Sequence, residues 1–394
     1  MFIEFSEFNL KLLFFLIYPI FITIQDYTYA SYIKHDKDNL LFTTFRYFLS
    51  YIFSGILLLI FKFRTKRTHF RRESSLELSI ENVKNNHKIT SMSQVDIEQK
   101  LILKKKIIKS TLFLFLLSVI GIFTIYAGYY FKKKEYSNAK HSVRTFFEIT
   151  NFAVLSYFIL QQKLYKHHFI SYGLITIILI IIFIISYTYL KKILESIIFY
   201  FLYELVFALY DVLIKKYMNV FYKSPYFTMF WLGLISTIAL LIYDVIAYFV
   251  NPDVSGIIIG LKDNIDNIGD FFLFVLDLII EYAWNLGIWL LIYYYTPCHY
   301  FISEFISEYF YYLSNVIKEN DEFYSTKNGI LFSICFLLII IFSLVFNEVI
   351  ILNFWRLDYN TNKRIYERQK YEFDIDLKNK DSLLKDIEEE ESNE

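Results

Sequence analysis

KHSVRTFFEITNFAVLSYFILQQKLYKHHFISY, Lys140 to Tyr172, places charged residues at the head of an apolar run and a short polar hinge at its end. Arg144 and Glu148 stand four residues apart, which puts both on one face of a helix. The run that follows them is apolar enough for a bilayer, so the two charges need compensation inside the protein. The hinge, QQKLYKHH, only has room to turn the chain back, which makes the flanking helices antiparallel neighbours.

The rest of the chain repeats this pattern. Of 394 residues, 56% are hydrophobic and 21% aromatic, with only 10 Gly and 4 Pro. A soluble domain needs far less apolar material, and the polar residues fall in blocks between long apolar runs. An AT-biased coding sequence by itself enriches Phe, Tyr, Ile, Lys and Asn, so the aromatic count carries no functional weight. Cys298 and Cys335 lie in or beside apolar segments and give no disulfide framework. The start, MFIEFSEFNLKLLFF, is acidic and lacks both a basic n-region and a small-residue cleavage site, so it reads as a retained first span.

A bilayer core about 30 Å thick needs about 20 apolar residues per helix. Ten segments meet this: 10–30, 39–62, 108–131, 140–161, 168–188, 195–217, 225–250, 271–294, 297–317 and 329–355. The expected fold is therefore an all-α polytopic membrane helix bundle. The link after the second span holds KFRTKRTHFRR and KLILKKKIIK, and the positive-inside tendency assigns it, and with it both termini, to the cytosol. Lys132, Lys133 and Lys134 run against that assignment. Neither the plasma membrane nor an endomembrane is favoured.

Ten spans divide into two halves, 1–188 and 189–355, followed by an acidic cytosolic tail over 356–394. Five spans per half force the second half into the membrane upside down, which is the arithmetic of an inverted repeat. NAKHSVRTFFE at the fourth span and TPCHYFISEFISE at the ninth each carry a His followed by a carboxylate, in keeping with such a repeat. The stretch 64–107 is polar and without a strong period, so it reads as a disordered basic cytosolic insertion.

From Asn138 to Ile182, NAKHSVRTFFEITNFAVLSYFILQQKLYKHHFISYGLITIILIII resembles the fourth and fifth helices of the drug/metabolite transporter superfamily, especially its nucleotide-sugar and triose-phosphate branch. The likeness lies in a helix with a polar start, the LSYFIL stretch, a hinge carrying KL, and a plain apolar helix after it. It covers about forty residues. The resemblance implies ten helices in inverted halves and a carrier's alternating access, with a basic residue near Arg144. Two family marks are missing: the hinge has Gln161 and Gln162 where a Glu is usual, and no GALNK-like motif occurs in a late helix.

Asp26, Arg46, Arg144, Glu148, Glu204, Asp211, Asp244, Asp277, Glu281, Glu304, Glu308 and Glu348 all fall within or at the edges of these spans. A charge at mid-bilayer costs at least about 2.5–3.5 kcal/mol, so these side chains are expected to face the bundle or water and to line one cavity. Arg46, Arg144, Glu148, Glu204, Asp211, His299, Glu304 and Glu308 are the candidate substrate contacts. Asp277 with Glu281 and Glu304 with Glu308 are i,i+4 pairs. Two carboxylates about 6 Å apart repel by roughly 3 kcal/mol at an effective dielectric of 20, so one of each pair holds a proton unless a cation sits nearby. Few cations are on offer: Arg46, Arg144, Lys215, Lys216 and His299. The Glu304 and Glu308 pair is the candidate for proton coupling.

Each feature also has a structural reading. Arg144 and Glu148 can be an ion pair at a helix entrance, and Asp277 and Glu281 can sit near the interface. His299 can cap or pack the ninth helix, and the doublet His167 and His168 falls in a link where solvation is expected.

The expected activity is secondary transport of a small polar metabolite, with membrane lipids as surroundings. The alternative is a receptor or scaffold that keeps the transporter fold without transport. An intramembrane aspartyl protease has only Tyr210-Asp211, Tyr243-Asp244 and the incomplete motif NIGD at 267–270 in its favour, with no Pro-Ala-Leu, so no enzyme activity is expected. No motif for ATP, a metal or another cofactor, or nucleic acid is present; anionic lipid headgroups account for the basic link.

Overall fold

In the computed structural model the described residues are 3–5, 39–61, 92–134, 138–162, 164–187, 193–250, 256–265, 268–295, 297–300, 327–353, 356–361, 364–368 and 371. They form β1 (Ile3–Phe5), α1 (Leu40–Tyr51), α2 (Met92–Lys134), α3 (Asn138–Leu160), α4 (Lys166–Tyr187), α5 (Ile193–Phe221), α6 (Pro225–Val250), α7 (Gly256–Ile265), α8 (Ile268–Tyr294), α9 (Lys327–Phe346) and β2 (Ile350–Leu352). The protein is thus predominantly α-helical, with one two-stranded antiparallel ribbon joining β1 to β2.

Four helical stretches are long and apolar enough to cross a membrane: Leu40–Phe61, Lys104–Tyr130, Pro225–Val250 and Ile268–Tyr294. They match four of the segments read from sequence. Most of the first and ninth expected spans lies outside the described residues, as do Asp26, Glu304 and Glu308.

The surface of these helices is inverted relative to a soluble protein. On α2, Leu112, Phe115, Val119, Phe123, Tyr126 and Tyr130 recur at helical spacing and are exposed, while Ser110, Ser118 and Thr124 are buried. Two of these hydroxyls return to their own helix, Ser118 to the Leu114 carbonyl and Thr124 to that of Ile120, while Ser110 shares a hydrogen bond with the Tyr217 hydroxyl on α5 at 2.8 Å. On α6, Ile238, Ile242 and Ile246 face outward while Thr228, Ser236, Thr237 and Asp244 face inward. Such a surface suits hydrocarbon, which places the protein in a membrane.

The helix α2 starts at Met92, inside the stretch read from sequence as disordered. The segment QVDIEQKLILKKKIIK is rich in Lys and also carries Gln, Leu and Glu, all good helix formers, and extends the helix outward from the apolar span.

The chain divides into two compact units. The larger comprises 17–162 and 186–301, and the smaller 1–16, 163–185 and 302–394. Each unit is assembled from separated segments of the chain.

In the larger unit α1 packs on α6, and α5 packs on α2 and α3. The contact between α1 and α6 is close because Gly233 leaves no side chain there; a Cβ would stand 2.5 Å from that of Tyr51 and 2.8 Å from the Phe48 carbonyl oxygen. Asn39 caps α1 by accepting from Phe42 N–H at 3.1 Å, and its amide donates to the Gly256 carbonyl at 2.5 Å, tying α1 to the start of α7. After Tyr51 the backbone tightens to i→i−3 hydrogen bonds, from Ile52 N–H to Leu49 through Ile56 N–H to Phe53, before residues 54–61 resume the helix.

Candidate functional site

The most connected polar group of the larger unit is built by α1 and α8. Their aromatic faces bring Arg46 to Asp277, with 2.5 Å between Arg46 Nη1 and Asp277 Oδ2, at 4% and 2% side-chain exposure. One helical turn further along α8, Glu281 accepts at 3.1 Å from the amide of Asn285, which also donates to the Glu281 carbonyl at 2.9 Å. The Tyr51 hydroxyl donates to that of Tyr47 at 2.6 Å, has Asn285 Oδ1 at 3.4 Å, and receives Trp289 Nε1–H at 3.3 Å.

This arrangement resolves the repulsion expected of Asp277 and Glu281. The two carboxylates take different partners, a guanidinium for one and an amide for the other, so neither needs the other's proton. Both are buried within the protein. From α5, Asp211 lies near enough to Tyr51 to act on it electrostatically, as does Glu281, and Tyr210 is similarly placed toward Tyr47 and Tyr51. Glu204, two turns before Asp211, is fully buried on the same helix.

Other candidates go elsewhere. Glu148 is buried on α3; the side chain of Arg144 lies outside the described residues, and so does their pairing. His299 is buried with its ring stacked on that of Tyr295, the centroids 6.0 Å apart. Lys215 donates to the Tyr293 carbonyl, placing a cation at the carboxyl end of α8 where the helix dipole favours it, while Lys216 is exposed.

Two further carboxylates make other contacts. Asp244 accepts from Ile257 N–H at 3.1 Å and Ile258 N–H at 2.9 Å, satisfying the first amides of α7. It caps the start of α7, which also gives the Tyr243-Asp244 dipeptide a structural role. Glu348 belongs to the smaller unit, where its Oε1 lies 3.3 Å from His167 Nε2. His167 and His168, expected to be solvated, are both buried. Their link is covered because the end of α9 packs on it: the His168 ring lies 4.7 Å from that of Phe346.

Sequence reasoning missed Tyr47, Tyr51, Asn285 and Trp289, having set aromatics aside. The i,i+4 spacing of Tyr47 and Tyr51 beside Arg46, and of Glu281 and Asn285 on α8, was the available signal. No protein-family model matches this chain, and neither does any curated protein.

Proposed function

We propose that this chain is a secondary solute transporter of the drug/metabolite transporter type, moving a small polar metabolite by alternating access with protons as the coupling ion. The observation that carries the reading is the buried network of Arg46, Tyr47, Tyr51, Asp277, Glu281 and Asn285 on α1 and α8, with Asp211 of α5 close by. Ionisable groups in spanning helices are expensive and mark substrate or ion paths. A buried ion pair gives no stability that apolar residues of similar volume would not, so its presence calls for a use beyond folding. The i→i−3 tightening next to Tyr51 supplies a place for α1 to bend during such a cycle.

Pairing of β1 with β2 supports the topology of this reading. Residues 3–5 pair with 350–352, which accords with a reading that puts both ends of the chain on the cytosolic side.

The test is uptake of a substrate panel into proteoliposomes with and without a pH gradient. Flux driven by the gradient is expected, and Glu304→Gln and Glu308→Gln are expected to flatten its pH dependence while the protein stays folded. Absence of flux for every class of small polar metabolite overturns the transporter and leaves a receptor or scaffold on the same fold.

A further inference from the structure

Where α4 begins and α9 ends, the smaller unit gathers three metal-ligating side chains, His167, His168 and Glu348. They are 3%, 5% and 7% exposed. Each offers one ligand atom, and these atoms lie within 4.8 Å of one another. Neither ring nitrogen of the buried His167 makes a hydrogen bond among the described residues. Its Nε2 stands 3.3 Å from Glu348 Oε1, a distance that would serve an ion pair, yet the two are not aligned as donor and acceptor. Two ligands bound about 2.0–2.1 Å from a tetrahedral zinc ion stand about 3.3 Å apart, so the spacing is that of atoms sharing a cation.

The backbone supplies an independent sign. Val349 N–H donates to the Leu344 carbonyl at 2.9 Å and Glu348 N–H to that of Val345 at 3.1 Å, closing α9 with a left-handed cap. Val349 packs back on Ile340 and Leu344, as such caps do. The residue held in the left-handed conformation is Glu348, with φ 58°, at a position where glycine is the unstrained choice. A carboxylate in that place costs backbone energy, and what the strain achieves is to aim the carboxylate at the imidazoles. The ring centroids of His167 and His168 are 4.0 Å apart. Nδ1 of His168 accepts from Tyr165 N–H at 3.1 Å, so it carries a lone pair, for which a metal ion competes with that amide.

We propose that His167, His168 and Glu348 bind one divalent transition-metal ion, with zinc the best match to a ligand set of two imidazoles and a carboxylate. His167 and Glu348 form the preformed pair, and His168 joins by exchanging its bond from Tyr165 for the metal. Binding pins the start of α4 to the end of α9 within the smaller unit. The inference stands apart from transport and uses no residue of the α1 and α8 network.

The experiment is titration of chelator-stripped, full-length protein in detergent with zinc and with cobalt, reading stoichiometry by elemental analysis and geometry by the visible bands of cobalt. One ion per chain is expected, with cobalt bands that zinc abolishes. His167→Ala and Glu348→Gly are each expected to weaken binding more than a hundredfold, beyond the roughly 10–100-fold loss that removal of an outer-shell partner alone gives. Glu348→Gly keeps the variant interpretable, because glycine suits the left-handed cap and only the ligand is lost. Unchanged affinity in both His167→Ala and Glu348→Gly, or no stoichiometric binding to the parent protein, overturns the site.

Discussion

Asp277 and Glu348 are both carboxylates buried at apolar helices, but their surroundings differ. Asp277 faces a guanidinium at 2.5 Å, in a group where Tyr51, Asn285, Glu281 and Trp289 exchange hydrogen bonds. Glu348 faces an imidazole whose two nitrogens make no hydrogen bond among the described residues. In the first group the Asp277 carboxylate meets the chain's own guanidinium through Oδ2, while its Oδ1 has no hydrogen bond among the described residues. In the second, the proposed metal ion would meet the imidazole nitrogens. The difference teaches that burial alone does not give a charge its role; what matters is whether the neighbours already satisfy it.

The largest expected effect breaks the first region. Asp277→Leu leaves Arg46 buried without its carboxylate and is expected to destabilise the protein by about 3–5 kcal/mol. The double variant Arg46→Met with Asp277→Leu is expected to recover most of that loss in thermal unfolding, and a double variant as damaged as the sum of the singles would break the comparison. Chelator should leave the spread among these variants unchanged, because no metal enters this group.

Packing in the same unit gives the next effect. In Gly233→Ala a new Cβ meets Tyr51 Cβ and the Phe48 carbonyl, neither a flexible side-chain end, so α1 and α6 must separate at about 1–3 kcal/mol. Unfolding temperature measures it. Gly173→Ala on α4 has nothing within 4 Å and is expected to be neutral or slightly stabilising. Asp244→Ala removes the acceptor for Ile257 and Ile258 N–H and is expected to cost about 1–2 kcal/mol, with faster amide exchange confined to α7.

The smallest effect sharpens the second region. Glu348→Gly relieves the left-handed strain, so the metal-stripped variant should be as stable as the stripped parent or up to about 1 kcal/mol more stable. Zinc should raise the unfolding temperature of the parent and leave that of the variant in place. Equal zinc shifts in both would remove Glu348 from the site.

Much of this protein was legible before folding. Apolar runs of spanning length located the helices at Leu40–Phe61, Lys104–Tyr130, Pro225–Val250 and Ile268–Tyr294, because hydropathy is local and a spanning helix satisfies its own backbone. The charges were found by the same local reading, and those with described side chains, among them Arg46, Glu148, Glu204, Asp211, Asp277 and Glu281, are buried. Their partners were not legible. Arg46 and Asp277 are 231 residues apart, and His167 on α4 is far in sequence from Glu348 just past the end of α9, so no spacing rule connects them. Nor could sequence choose the faces: a helix apolar on every side has no amphipathic stripe, and whether Leu112 or Leu114 meets lipid was settled by where α5 and α6 packed against α2. Sequence fixed which residues had to be sheltered from lipid; the tertiary contacts decided what each was sheltered against, because compensation of a buried charge depends on distance in space and not along the chain.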